Sequence, residues 1–173
     1  MALLRVNVAT LAFACSLLAC PPRGGGQLLE DGLNVPLLPD GSPAPEPCPQ
    51  YTRDVMRGLG LRAGRSGALA EIDANQPHRE PLTVFARPVE SFLMERLGPI
   101  GTGSRFYGRI WISKRGAVVI RYYHVQMPDG EPLPICAVAR RDANEMIGKP
   151  GAYPGSVELE GSTAWIFIVD DFR

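Results

Sequence analysis

The chain has 173 residues with 18 Lys+Arg against 18 Asp+Glu, so the basic surplus that nucleic-acid binding draws on is missing. Hydrophobic residues at 45% and charged residues at 21% exclude wholesale disorder. The 19 Gly and 17 Pro make up about a fifth of the chain against a norm of ~12%, which argues against a helical bundle and for strands, turns and an extended segment.

In chain order the first feature is a targeting-type segment. Arg5 gives a short positive start, and Val6 to Ala19 is an apolar run broken only by Asn7, Thr10, Cys15 and Ser16. That run is shorter than the ~20 apolar residues of a membrane span. It ends in Leu17-Leu18-Ala19-Cys20 and switches at once to Pro21-Pro22-Arg23-Gly24-Gly25-Gly26. This ending resembles the lipobox of bacterial lipoproteins. The resemblance implies cleavage before Cys20, acylation of Cys20 (a palmitate-type anchor) and attachment to a membrane in the cell envelope. Pro21 after the cysteine, where Asp would imply the inner membrane, implies the outer membrane. A single positive charge and the bulk of Leu18 depart from the usual pattern. An ordinary signal peptide cut near Ala19, with a periplasmic or secreted product, and a buried N-terminal helix are the alternatives. Removal of residues 1–19 leaves 154 residues and, with Arg5 gone, a net charge of −1.

Residues 20–49 read as a tether. Pro21 to Pro49 holds eight Pro and five Gly, and proline has no amide for a helix or a central strand. Such a segment is extended, ~3.1 Å per residue where polyproline-like. The competing expectation is that Leu28, Leu29, Leu33, Val35, Leu37 and Leu38 pack across the domain surface. With Cys15 in the leader and Cys20 acylated, Cys48 and Cys136 remain, and in an oxidising compartment they are expected to pair. The bond would close a loop of almost ninety residues, contributing ~4 kcal/mol on the chain-entropy argument. A nucleophilic Cys136 activated by His124 is the rival reading, disfavoured because a strand cysteine in apolar surroundings is a poor thiolate.

Residues 50–173 are predicted to be one mainly β domain, a small antiparallel sandwich or partly open barrel with one or two short helices. Tyr51, Val55, Met56 and Leu59 predict a short helix over 51–59, and 60–80 reads as loop. Leu82–Ala86 is a strand candidate. Pro88 to Leu97 is predicted to be a helix, with Val89, Phe92, Leu93 and Leu97 on one face and Gly98 as its stop. Arg105–Ser113 and Ala117–Gln126 form a hairpin across Lys114-Arg115-Gly116. Pairing Ser113 with Ala117 places Phe106, Ile110, Ile112, Val118, Ile120 and Tyr122 on a core face, with His124 on the same side. Met127-Pro128-Asp129-Gly130 is a turn, and Glu131–Ala139, with Pro132 and Pro134, reads as an edge strand. Ser156–Glu160 and Ala164–Val169 are expected to pair across Gly161-Ser162, the second of them centrally placed. The run Pro128 to Val138 is similar to one in small exported proteins of predatory soil bacteria without an assigned role, which implies no mechanism.

No catalytic constellation emerges. His78 reads as solvated and His124 as half-buried. Gly64-Arg65-Ser66-Gly67 lacks the spacing of a nucleophile elbow. Gly101-Thr102-Gly103-Ser104 runs into a strand, without the helix N-terminus that holds phosphate. A kinase is excluded by length and missing motifs. Asp170-Asp171 is a lone acidic pair, and two cysteines with two scattered histidines offer no metal spacing. No cofactor is expected. The one candidate binding face is Tyr107, Arg109, Trp111, Arg121 and Tyr123, aromatic and cationic groups of the kind that dock protein or glycan partners. Its alternative is burial under another part of the chain. The expected function is therefore a non-catalytic, membrane-anchored envelope binding module. The alternatives are a structural or assembly accessory without a ligand and, third, a small hydrolase.

Overall fold

A computed structural model describes residues 34–141 and 145–173. The expected leader 1–19, the expected acylation site Cys20 and residues 21–33 lie outside the described residues. Twelve strands and one helix follow in chain order: β1 (Glu46–Pro47), α1 (Gln50–Gly58), β2 (Gly67–Glu71), β3 (Leu82–Phe85), β4 (Pro88–Leu93), β5 (Arg105–Ile112), β6 (Ala117–Gln126), β7 (Leu133–Arg140), β8 (Met146–Ile147), β9 (Lys149–Pro150), β10 (Ser156–Leu159), β11 (Thr163–Ile168) and β12 (Asp171–Phe172). The main sheet runs β5-β4-β2-β11-β7-β6-β8, and β5 also pairs with β6, so six antiparallel strands close into a barrel. The mainly β, barrel-type architecture predicted from the sequence is the one observed.

Inward-facing alanines on β2, β7 and β11 sit mostly beside larger residues on the neighbouring strands. Ala70 pairs with Leu93 and Ala164, Ala68 with Ile166, Ala139 with Ile120 and Ile166, and Ala137 with Tyr122 and Ile168. A six-stranded barrel has too narrow a bore for large residues from every strand, and these alanines leave room for the larger ones. Tyr122 stands edge-on to Phe106 at 5.6 Å. Its hydroxyl lies 2.7 Å from Ser91 Oγ, which donates in turn to the Ile72 carbonyl at 2.5 Å. The Tyr122 hydroxyl is thus satisfied inside the core, and burial pushes its pKa up.

The β5–β6 hairpin keeps the predicted register from Ser113/Ala117 through Arg109↔Arg121. A bulge then intervenes: Gly108 faces Tyr122, Tyr107 faces His124, and Tyr123 is the extra residue. His124 therefore moves from the predicted core side to the side of Tyr107, and Val125 takes its place inside, 1% exposed. Gly108 permits this approach, because a Cβ there would run into the Arg121 carbonyl oxygen.

Four expectations are corrected. Pro88–Leu93 is a strand, not the start of a helix: Val89, Ser91 and Leu93 point inward with period two, and the polar Ser91 is accepted because it bonds Tyr122 and Ile72. Residues 67–71, read as loop, form β2, whose inward side chains are alanines of low strand preference. The two late strands, β10 and β11, do not pair with each other: β10 pairs with β3 and β9 while β11 lies between β2 and β7. β7 is interior rather than an edge, flanked by β6 and β11. Pro132 and Pro134 are tolerated because β11 pairs only Ala137–Arg140, beyond them.

The helix expected over 51–59 is α1. Met56 and Thr52 are buried, and the Cys136 amide donates to Met56 Sδ at 3.4 Å. Cys48 and Cys136 form the expected disulfide with Cα atoms 6.0 Å apart, both buried. The packed unit begins earlier than residue 50. Leu37 bridges to Pro43, β1 pairs with β12, and the Cys48 amide donates to the Asp170 carbonyl at 3.0 Å.

Candidate binding face

The predicted face assembles on the outside of the barrel, where the chain itself covers it. Arg121 is 1% exposed, the most enclosed charge of the set. Its Nη1 donates to the Ala44 carbonyl at 3.0 Å and its Nη2 to the Pro43 carbonyl at 3.1 Å. The guanidinium lies between the rings of Trp111 and Phe172, 5.6 and 5.2 Å from their centroids. Glu46 Oε1 lies 3.5 Å from Nη1 and accepts the Tyr123 hydroxyl at 3.0 Å. Burial lowers the Arg121 pKa against the opposing pull of Tyr123 and Glu46, and burial raises that of Tyr123. Trp111 and Tyr107 are buried, and the Tyr107 hydroxyl donates to Gln126 Oε1 at 3.0 Å. Arg109 is half-buried beside Arg121. Arg121 and Tyr123, with Trp111 stacked on the arginine, therefore form a seat for the strap of residues 43–46 and for Phe172.

The histidines are far apart in role. His124, half-buried, faces Tyr107. His78 is exposed and has a left-handed backbone (φ 56°). Its Nδ1 stands 2.9 Å from Oε1 of Glu71, without the alignment of a hydrogen bond. With Cys136 Sγ bonded to Cys48, that residue offers no thiolate. Among the described residues no group of three or more His, Cys, Asp or Glu is placed to hold a metal ion.

Two acids escaped the sequence reading because they lie in the stretch taken for loop. Glu71 is fully buried. Asp73, 2% exposed, accepts from the Asn75 amide at 2.9 Å, Gln76 Nε2 at 3.0 Å and Arg87 Nη2 at 2.5 Å. Desolvation opposes its ionisation, but those donors outweigh it and hold its pKa below the ordinary carboxylate value. The alternation Ala68, Ala70, Ile72 was the available signal for β2.

An open surface lies next to the covered one. Val119, Val138, Arg140, Glu145, Met146 and Arg173 line a cleft of about 250 Å³. Arg140 sits opposite Trp165, which sits opposite Leu69, on the outward side of β7, β11 and β2. Trp165 is 38% exposed and stacks on Phe167, with centroids 6.3 Å apart and an interplanar angle of 25°. Arg140 is exposed and lines this cleft on the same outward side as the Trp165 ring. No protein-family model and no curated protein matches this chain.

Proposed function

We propose that this chain is an exported lipoprotein of the bacterial cell envelope, acylated at Cys20, whose barrel is a non-catalytic binding module for a protein or glycan partner. The buried Cys48–Cys136 bond carries the reading. A disulfide at the entrance of the domain, 28 residues after the lipobox-type Leu17-Leu18-Ala19-Cys20, is a device of oxidising compartments. Pro21 favours the outer membrane as the site of attachment. The ligand surface is the open Arg140–Trp165 row with its adjoining cleft, since the Arg121 face is occupied by the chain's own strap.

Arg140→Ala and Trp165→Ala test the binding role. Both positions are exposed, so the melting temperature is expected to stay within a few degrees of wild type while retention on immobilised envelope fractions falls about tenfold. Unchanged retention in both variants refutes the assignment. It would favour the second reading, an accessory of the envelope without a ligand, which the internal use of the Arg121 cluster also supports.

A further inference from the structure

The outward side of β2, β11 and β7 carries an aromatic pair that sits outside the bore. Along β11 the outward residues are Thr163, Trp165 and Phe167, while Ala164, Ile166 and Ile168 face inward. Phe167 leans across its register partner Gly67, where an added Cβ would stand 2.8 Å from Phe167 Cδ1. The Trp165 ring keeps within 25° of the Phe167 plane, so the two rings lean together. Phe167 backs the indole on one side and the small Thr163 follows it on the other, which leaves Trp165 38% exposed.

Polar groups of both kinds adjoin this ring. Arg140 lies directly opposite Trp165, which sets their Cβ atoms about 5 Å apart. Beyond Arg140 the cleft of about 250 Å³ opens, with Glu145 on its wall. Arg173, also on that wall, pairs with Asp171 at 2.8 Å and adds no net charge. Arg140 offers only donors and ionised Glu145 only acceptors. An anion would be repelled by Glu145 and a cation by Arg140. Hydroxyl groups, which donate and accept at once, match both.

The single exposed ring bounds the ligand as well. In the row of Leu69, Trp165 and Arg140, Trp165 is the one exposed large hydrophobic residue. A protein partner spreads several desolvated anchors over about 800 Å² of each surface. A saccharide needs one anchor: the C–H groups on one face of a pyranose ring lie on the negative face of an indole, and its hydroxyls project sideways. We propose that this row binds an uncharged saccharide chain. One sugar ring stacks on Trp165 with its hydroxyls bonded by Arg140, and the next sugar unit enters the cleft beside Glu145. The cleft lies just below the ~300 Å³ at which small-molecule sites begin, room for a sugar unit but not for a folded segment. This rests on the binding-module reading above and narrows its ligand.

The test measures retention of the full mature protein, in detergent solution, on two immobilised preparations of one bacterial envelope. The first is the untreated fraction. The second is its polysaccharide residue after exhaustive proteinase digestion and chloroform–methanol extraction. Wild type is expected to be retained on both, and on the polysaccharide to change less than about twofold between about 0.05 and 0.5 M salt. On the polysaccharide, Trp165→Ala and Arg140→Ala are each expected to lose about tenfold, and Trp165→Phe, which keeps a ring, less than about threefold. Retention on the untreated fraction alone points to a protein or lipid ligand; it overturns the saccharide claim and leaves the binding module standing. A larger loss with salt marks a charged glycan and overturns the claim of an uncharged one. Equal retention of wild type and Trp165→Ala on the polysaccharide overturns the stacking site. No retention on either preparation overturns both readings together.

Discussion

Replacing Arg121 with Ala tests whether the strap is held by the guanidinium. Two bonds from a charged donor to the Pro43 and Ala44 carbonyls are lost, together with contacts to two rings and to Glu46. Hydrogen bonds to charged groups are worth ~1.5–3 kcal/mol each, and the desolvation already imposed on Arg121 offsets part of the gain. Breaking a buried charged contact by removing one partner costs ~3–5 kcal/mol, the magnitude expected here. For a domain of this size that lowers the melting temperature by about 10–15 °C. Arg121→Lys keeps the charge but not the fork that spans two carbonyls, and is expected to lose about half as much. Thermal melts supply the free energy, and amide exchange at Glu46 and Cys48, the latter bonded to Asp170, supplies the location. A loss under about 1 kcal/mol, or a larger loss with these amides still protected, would show that β1–β12 pairing and the disulfide hold the strap without Arg121.

Gly108→Ala is expected to cost more than about 3 kcal/mol, because the added methyl meets the Arg121 backbone and the bulge cannot relax without breaking the β5–β6 ladder; denaturant unfolding gives the value. The paired variant Cys48→Ser/Cys136→Ser, or reduction of the native bond, is expected to lower stability by ~2–4 kcal/mol while leaving the far-ultraviolet β spectrum in place at low temperature. Asp73 has a folded-state pKa below its unfolded value, so its contribution is complete above the ordinary carboxylate range and disappears as pH falls through the lower folded value. Melts from neutral pH to about pH 3 should therefore fall more steeply in wild type than in Asp73→Asn, and parallel curves would contradict the assignment.

Local signals in the sequence carried the hairpin of β5 and β6, α1 and β3. Each depends on a short window in which apolar spacing and turn residues agree. The cysteine pairing was legible because the N-terminal pattern resembles an export signal, and an exported chain acylated at Cys20 would keep two thiols to pair. What failed had non-local causes. Ser91 broke the period-two pattern of β4 because its partners, Tyr122 and Ile72, lie on other strands. The alanines of β2 are legible as strand residues only once the bore of the barrel requires small side chains. The bulge that moved His124 depends on a close approach at Gly108 visible only in the paired hairpin. Tyr107, Arg109, Trp111 and Arg121 share one side of the hairpin in the expected register, and the bulge residue Tyr123 joins Arg121 through Glu46 and Phe172. The cover over Arg121 is a proline-rich segment with little regular structure of its own, held by side-chain bonds to two backbone carbonyls. No pattern in residues 43–47 announces such a contact. The open Arg140–Trp165 row was missed because it is created by pairing β7 with β11, which are about 25 residues apart in the chain.

The central claim is an envelope protein held by a lipid on Cys20. Its most direct test is membrane fractionation of cells producing wild type and Cys20→Ala, with a parallel culture in which lipoprotein signal cleavage is blocked by globomycin. The account predicts that mature wild type sediments with membranes and releases an N-terminal peptide bearing acyl chains on Cys20. It further predicts that Cys20→Ala yields no acylated mature form and that globomycin accumulates the uncleaved chain. A mature, membrane-bound protein in the Cys20→Ala strain, or in wild type without acyl chains, would contradict it.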